Sequence, residues 1–211
     1  MPIVSDNRLE NRIYNRLTVS LVTPRLHSIT RTQANNTTMG RLNGKVALIT
    51  GGGSGFGEAI AHGFVSQGAN VLVADIAVAN GQRVVEEIAK KSYAGGGSAV
   101  FIEFNVTQRA DWEQGLELAT SRFGKLDIVV NNAGTTYNKQ ESKEVSEADF
   151  DKIIAVNVKS IYLSVSVVMP YFVGRKDGVY LNTSSVAGTR VRPGQVFYGG
   201  TKGFLNTVYS C

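Results

Sequence analysis

The chain is 211 residues long and 43% hydrophobic, enough to bury one sizeable core without requiring a second domain. Its formal charge of +5 is lopsided: residues 1–38 carry a net +3, and the remainder only +2 with signs mixed along Glu86, Glu87, Lys90 and Lys91, which argues against the dense basic stripe of a nucleic-acid binder. Cys211, the sole cysteine and the last residue, excludes an internal disulfide or a cysteine metal site and suits a reducing compartment, and no apolar run approaches the ~18 residues of a transmembrane helix.

Residues 1–38 hold no lysine, many Ser, Thr and Asn, and a repeated triplet at Asn7-Arg8-Leu9, Asn11-Arg12-Ile13 and Asn15-Arg16-Leu17. On a helix that repeat lines up Leu9, Ile13 and Leu17 on one stripe and the arginines on another. The extension reads as a disordered tail, as an upstream extension of the gene model, or as an Arg-rich presequence that would direct the protein to mitochondria. Asp6 and Glu10 count against the last reading. Without a presequence the expected location is cytoplasmic. Met39-Gly40-Arg41-Leu42 makes a natural start for the folded domain, 39–211.

From Lys45 short apolar runs alternate with amphipathic stretches, the pattern of an α/β fold with a parallel sheet covered by helices on both faces. Strands are predicted at 46–50, 70–74, 99–104, 126–130 and 179–182. Helices are predicted at 55–67, onward from the second strand to about 91, at 110–123 and as one long element over about 147–172. A last helix begins at Tyr198 and is hardly under way when the chain ends.

Thr50-Gly51-Gly52-Gly53-Ser54-Gly55-Phe56-Gly57 follows the first strand and opens the first helix. Glycines there let backbone approach a pyrophosphate and the helix start offers free amides, although a mere tight turn would look similar. Asp75, eighteen residues past Gly57, ends the second strand, where a carboxylate can accept from both ribose hydroxyls of an adenosine. Its plain alternative is a cap on the next helix. A 2′-phosphate would meet like charge at Asp75, and neither Ser54 nor Ile76 supplies a cation, so NAD is expected over NADP.

Tyr198 and Lys202 stand four residues apart on one helical face, thirteen residues after Ser185. A phenol beside a fixed cation is a usable acid, whereas an isolated pair at this spacing would be a packed aromatic and a solvated lysine. His27 and His62 show no ligand spacing, so no metal is expected.

The ordered set of Thr50 to Gly57, Asp75, Asn131-Asn132-Ala133-Gly134, Asn157-Val158-Lys159-Ser160, Ser184-Ser185 and Tyr198-Gly199-Gly200-Thr201-Lys202 resembles the short-chain dehydrogenase/reductase family of the single-domain kind, from about Leu42 to the end. The resemblance implies a Rossmann-like doubly wound sheet and NAD(P)-dependent interconversion of a small secondary alcohol and a ketone. It implies that Tyr198 trades a proton with the substrate oxygen, that Lys202 binds the nicotinamide ribose and makes the phenol more acidic, and that Ser185 rather than Ser184 holds the substrate oxygen. Asn157 would hold a water linking Lys202 to solvent. Gly51, Gly53, Ser54, Gly55, Phe56 and Gly57 would cradle the dinucleotide, with Asp75, Asn105, Val106, Asn131, Ala133 and Gly134 on its adenosine side.

Two departures qualify that expectation. Asn105 stands where the family more often has aspartate, so any bond to the adenine amino group would be made by an uncharged amide oxygen. An end at Cys211 lacks the last two strands of the family domain and the loop that covers the substrate. The chain alone is therefore expected to bind cofactor poorly and turn over slowly, and the competing reading is a catalytically impaired nucleotide-binding fragment. Full-length relatives imply a homo-oligomer, and the shortened end argues against assembly here. Substrate identity is expected to lie mostly in that missing segment; what remains are Thr135, Thr136, Tyr137, Arg190, Arg192, Gln195 and Phe197, and Arg190 would either meet an anion or be a solvated loop residue.

Overall fold

A computed structural model describes residues 40–91, 93 and 95–208; the triplet repeat, the expected domain start at Met39 and Cys211 lie outside the described residues. Five parallel strands, β1 (Val46–Thr50), β2 (Asn70–Asp75), β3 (Ser98–Glu103), β4 (Ile128–Asn131) and β5 (Val179–Asn182), form one sheet in the order β3-β2-β1-β4-β5. Its helices are α1 (Gly55–Ser66), α2 (Val78–Lys91), α3 (Arg109–Phe123), α4 (Glu147–Ile154), α5 (Ser160–Arg175) and α6 (Val196–Thr207). The architecture is the parallel α/β sheet that the alternating pattern predicts, in the Rossmann-like doubly wound form that the resemblance implies.

The apolar runs become strands because a parallel sheet buries both of its faces, and the period of two then divides one strand between two cores. Leu48 pairs in register with Leu72 and Val129, and all three join Phe104, Trp112 and Phe172 on one face. Ala47, Ile49, Val71, Val73 and Val130 face the other way with Val84 and Ile88 of α2. Trp112 is fixed twice, by an edge-on contact with Phe104 at 5.0 Å and by donating its indole N–H to the Val106 carbonyl at 3.0 Å. Gly115 and Gly81 leave room for this packing: a Cβ on Gly115 would press on Phe104 and Leu48, and one on Gly81 would collide with the Phe101 ring.

Several boundaries differ from the sequence expectation, β3 and α3 by one residue. β2 includes Asp75, which pairs with Glu103 of β3. β4 starts at Ile128 rather than 126, because the Leu126 N–H donates to the Tyr171 hydroxyl and its carbonyl accepts from Arg175 instead of joining the ladder. The long helix is not uniform, since a π-helical turn at Ala155–Lys159 separates α4 from α5. α6 begins two residues before Tyr198 and extends for twelve residues, so the helix is well formed rather than hardly begun. The continuous helical stretch Glu147–Arg175 is long and apolar enough by composition to cross a membrane, as core helices also are; here Leu163, Val168 and Phe172 are buried in the core beneath the sheet.

Asp127, 2% exposed, joins β1, β4 and the end of α5. Its carboxylate accepts from the Val46 amide at 2.9 Å and pairs with Arg175 and Lys125, each at 3.1 Å. Burial opposes its charge, but the Val46 amide and the two cations outweigh that and hold the carboxyl below its ordinary value of 3.8. A carboxyl lowered in the folded state contributes stability that is present above 3.8 and lost as the pH falls through the folded value. Asp127→Ala is expected to cost about 3 kcal/mol by urea denaturation at neutral pH. The gap between wild type and variant should narrow below the ordinary carboxylate range; a gap unchanged by acid would show that the charge contributes nothing.

Candidate active site

Every predicted site residue among those described lies at or beyond the C-terminal end of a strand or on the helices that border that edge, and the sheet order reverses between β1 and β4. Open α/β sheets form their ligand crevice at such a switch point. Thr50, the last residue of β1, ties the crevice together. Its buried hydroxyl donates to the Val130 carbonyl at 3.1 Å and accepts from the amides of Asn132 at 3.0 Å and Ala133 at 3.1 Å. The Asn132 side-chain amide donates back to the carbonyls of Thr50 at 3.0 Å and Gly51 at 3.2 Å.

The glycine loop is shaped by close approach. Gly51 and Gly55 adopt positive φ, +62° and +55°, and a Cβ on Gly57 would collide with the Gly51 carbonyl oxygen. At Gly55 nothing stands within 4 Å, and exposed Ser54 makes no side-chain cap on α1, so the first turn of that helix presents an open backbone. Exposed Phe56 follows. These residues fit a dinucleotide pyrophosphate: a tight glycine turn, no Cβ in the way, and the positive end of a helix.

Asp75 already holds its own surroundings, accepting from the Gly53 amide at 2.8 Å and the Ala77 amide at 2.9 Å. The Ala77 bond closes a two-residue turn just before α2, and each carboxylate oxygen keeps a second lone pair. Asn105 is more committed, because its amide oxygen accepts from both the amide and the hydroxyl of Thr107, at 3.0 and 2.8 Å. Val106 is buried beside it with its carbonyl taken by Trp112. Asn131, buried at the end of β4, pairs across the sheet with Asn182.

On α6 the Lys202 ammonium lies 6.0 Å from the centroid of the Tyr198 ring. Lys202 is only 5% exposed and donates to the Thr183 carbonyl at 2.8 Å; burial pushes its pKa down from the ordinary lysine value. Ser184 and Ser185 divide the work at the end of β5. The Ser184 hydroxyl points to α6, with its one proton shared between Asn206 Oδ1 at 2.7 Å and the Lys202 carbonyl at 3.2 Å, whereas the Ser185 hydroxyl accepts from the Ala187 amide and opens the short 3-10 turn Val186–Gly188. That turn packs tightly on α6, for a Cβ on Gly199 would stand 2.9 Å from the Ala187 carbonyl oxygen.

Asn157 sits in the π-helical turn, buried, where helical insertions of this kind often mark working sites. Its side chain accepts from the Thr135 amide and donates to the Thr135 carbonyl, both at 2.9 Å, and donates to the Thr201 hydroxyl at 3.0 Å. A Cβ on Gly134 would lie 3.4 Å from the Lys202 ammonium and 3.5 Å from the Asn157 oxygen, so both groups border the same small space. The structure therefore brings Gly134, Asn157, Tyr198 and Lys202 together. It also gives structural roles to residues to which the sequence assigned none of their own: Thr50, Asn132, Thr183 and Thr201. Thr50, Asn132 and Thr201 lay inside motifs and were detectable there as polar residues, while Thr183 meets Lys202 through its carbonyl, which no side-chain pattern reveals.

Comparison with known proteins agrees with this geometry. A family model described as short chain dehydrogenase matches residues 45–211. The chain is 41% identical over 161 residues to 4-formylbenzenesulfonate dehydrogenase of Comamonas testosteroni, an alignment that covers 76% of this chain and 62% of that protein. The chain thus spans under two thirds of that relative's length. Among solved structures it resembles a 3-ketoacyl-(acyl-carrier-protein) reductase from Brucella melitensis complexed with NADH, at 38% identity and a TM-score of 0.70, covering 79% of this chain and 67% of that one. A short chain dehydrogenase/reductase from Burkholderia phymatum in complex with NAD is 30% identical with a TM-score of 0.74, covering 81% and 59%. With its parallel sheet, its glycine loop at the switch point and these relatives, the chain belongs to the short chain dehydrogenase family of oxidoreductases.

Proposed function

We propose that this chain interconverts a secondary alcohol and a ketone with NAD, using Tyr198 as acid and base. The observation that carries the proposal is a lysine buried at 5% exposure, held by the Thr183 carbonyl, with its charge 6.0 Å from the ring of the tyrosine one turn earlier. A solvated surface lysine would be neither buried nor held. The nicotinamide, when bound, supplies or accepts the hydride at the substrate carbon. The phenol of Tyr198 gives or takes the proton on the substrate oxygen, and the desolvated Lys202 ammonium stabilises the charge left on the ring oxygen more strongly than a cation in water could.

The other residues orient and resupply. Ser185 holds the substrate oxygen where charge develops, since its hydroxyl keeps a proton to donate while it accepts from Ala187. Asn157 and Lys202 border one space beside Gly134, which suits a water that returns protons to the lysine. Gly51, Gly53, Ser54, Gly55, Phe56 and Gly57 hold the pyrophosphate, Asp75 the adenosine ribose, and Asn105, Val106, Asn131, Ala133 and Gly134 line the rest of the dinucleotide cleft. The Asp75 charge favours NAD over its 2′-phosphorylated form. The substrate side is bounded by buried Tyr137, whose hydroxyl accepts from the Phe197 amide at 3.2 Å, and by Phe197 and Phe150 in edge contact at 5.3 Å. An apolar alcohol or ketone suits these walls.

Tyr198→Phe is expected to lower turnover of NADH with a ketone by about a thousandfold while NADH affinity, read by fluorescence, stays nearly constant. Turnover kept by the Phe variant would remove Tyr198 from the chemistry, and absent turnover in wild type would favour a nucleotide-binding role alone. Gly57→Ala tests the cradle separately. Its Cβ meets backbone rather than a flexible side chain, so dinucleotide affinity should fall more than about tenfold and stability by about 2 kcal/mol.

A further inference from the structure

Arg83, on α2, reaches the glycine loop, and both of its terminal nitrogens are fully engaged there. Its Nη2 donates to the Gly53 carbonyl at 3.1 Å and to Glu58 Oε2 at 2.8 Å, while Nη1 donates to Glu58 Oε1 and Glu87 Oε1, each at 2.9 Å. A guanidinium has four hydrogens on its two terminal nitrogens, and these four bonds use all of them. Gly53 is also the residue whose amide donates to Asp75 Oδ2 at 2.8 Å. One residue of the loop thus stands between the carboxylate proposed for the adenosine ribose and a guanidinium of the type that favours phosphate.

The charges around that point are unequal. Asp75, Glu58 and Glu87 supply three carboxylates against the single guanidinium, and the Arg83 bond holds Glu58 below its ordinary range. Lys91 acts on Glu58 and His62 only through space, and burial lowers the His62 pKa and favours its neutral form. Arg83, Glu58 and Glu87 are 43%, 24% and 39% exposed, so a ligand phosphate could approach the guanidinium if its donors were released.

We propose that Glu58 and Glu87 are specificity-determining residues: by occupying Arg83 they withhold it from a 2′-phosphate and reinforce the discrimination that Asp75 makes at the ribose. This rests on the NAD reading above. It makes cofactor choice depend on two glutamates that lie on helices rather than on the strand end, and it gives Arg83 the separate task of fixing the Gly53 carbonyl.

The test uses the adenosine half of the dinucleotide, so that neither turnover nor the nicotinamide side enters. ADP and 2′,5′-ADP are titrated by calorimetry into wild type, E58Q/E87Q and R83Q/E58Q/E87Q, with a thermal melt to verify folding. The preference for ADP should narrow about tenfold in the double variant and be restored when Arg83 is also removed, because a charged hydrogen bond to phosphate is gained and then lost. E87Q alone, which leaves Arg83 paired with Glu58, should narrow it about threefold and serves if the double variant fails to fold. A wild type that prefers ADP with a ratio unchanged in the folded variants overturns this proposal and leaves the NAD reading intact. A wild type that binds 2′,5′-ADP at least as well as ADP, or binds neither, overturns both.

Discussion

One run of hydrogen bonds connects the glycine loop to the proposed acid–base pair, and the rest of the site depends on it. The Asn132 side chain donates to Gly51 and accepts from the Thr183 hydroxyl at 3.3 Å, and the Thr183 carbonyl accepts from Lys202. Three segments distant in sequence, after β1, after β4 and after β5, are thereby held in register at the sheet edge. Thr50 anchors the same seam from below, and its near-complete burial means that losing any of its partners would leave a polar atom dry.

Burial is also what suits Lys202 to its proposed role. In water an ammonium beside a phenol is screened, and the pair would add little to either group. Here the Thr183 carbonyl accepts a hydrogen bond from Lys202, and the hydroxyl of buried Thr201, its neighbour in sequence, accepts from Asn157. The cost of desolvating the cation is met by a framework assembled from β5, the π-helical turn and α6. The site is thus a tertiary object, although each of its members sits in an ordinary local element.

Negative charge dominates the proposed adenosine side in the same way. Asp75 is fixed by two backbone amides, and the nearby guanidinium is neutralised by glutamates from α1 and α2. An arginine close to a phosphate-binding loop does not by itself imply phosphate recognition, since its donors can be spent elsewhere.

The sequence by itself determined the alternation of five strands with helices, the glycine loop after β1, Asp75 at the end of β2 and the pairing of Tyr198 with Lys202 on one helical face. Those features follow from local periodicity and from residue types whose chemistry is narrow. Only the tertiary structure decided that Leu126 leaves its strand for Tyr171 and Arg175, and that Asn157 lies in a π-helical turn facing Thr135 and Thr201. It alone showed that the Asn105 oxygen is taken by Thr107 and that Arg83 is held by two glutamates. The reason is physical: a side chain's propensity is a property of its own few neighbours, whereas the partner that claims its last lone pair or proton comes from wherever the folded chain brings one within about 3 Å.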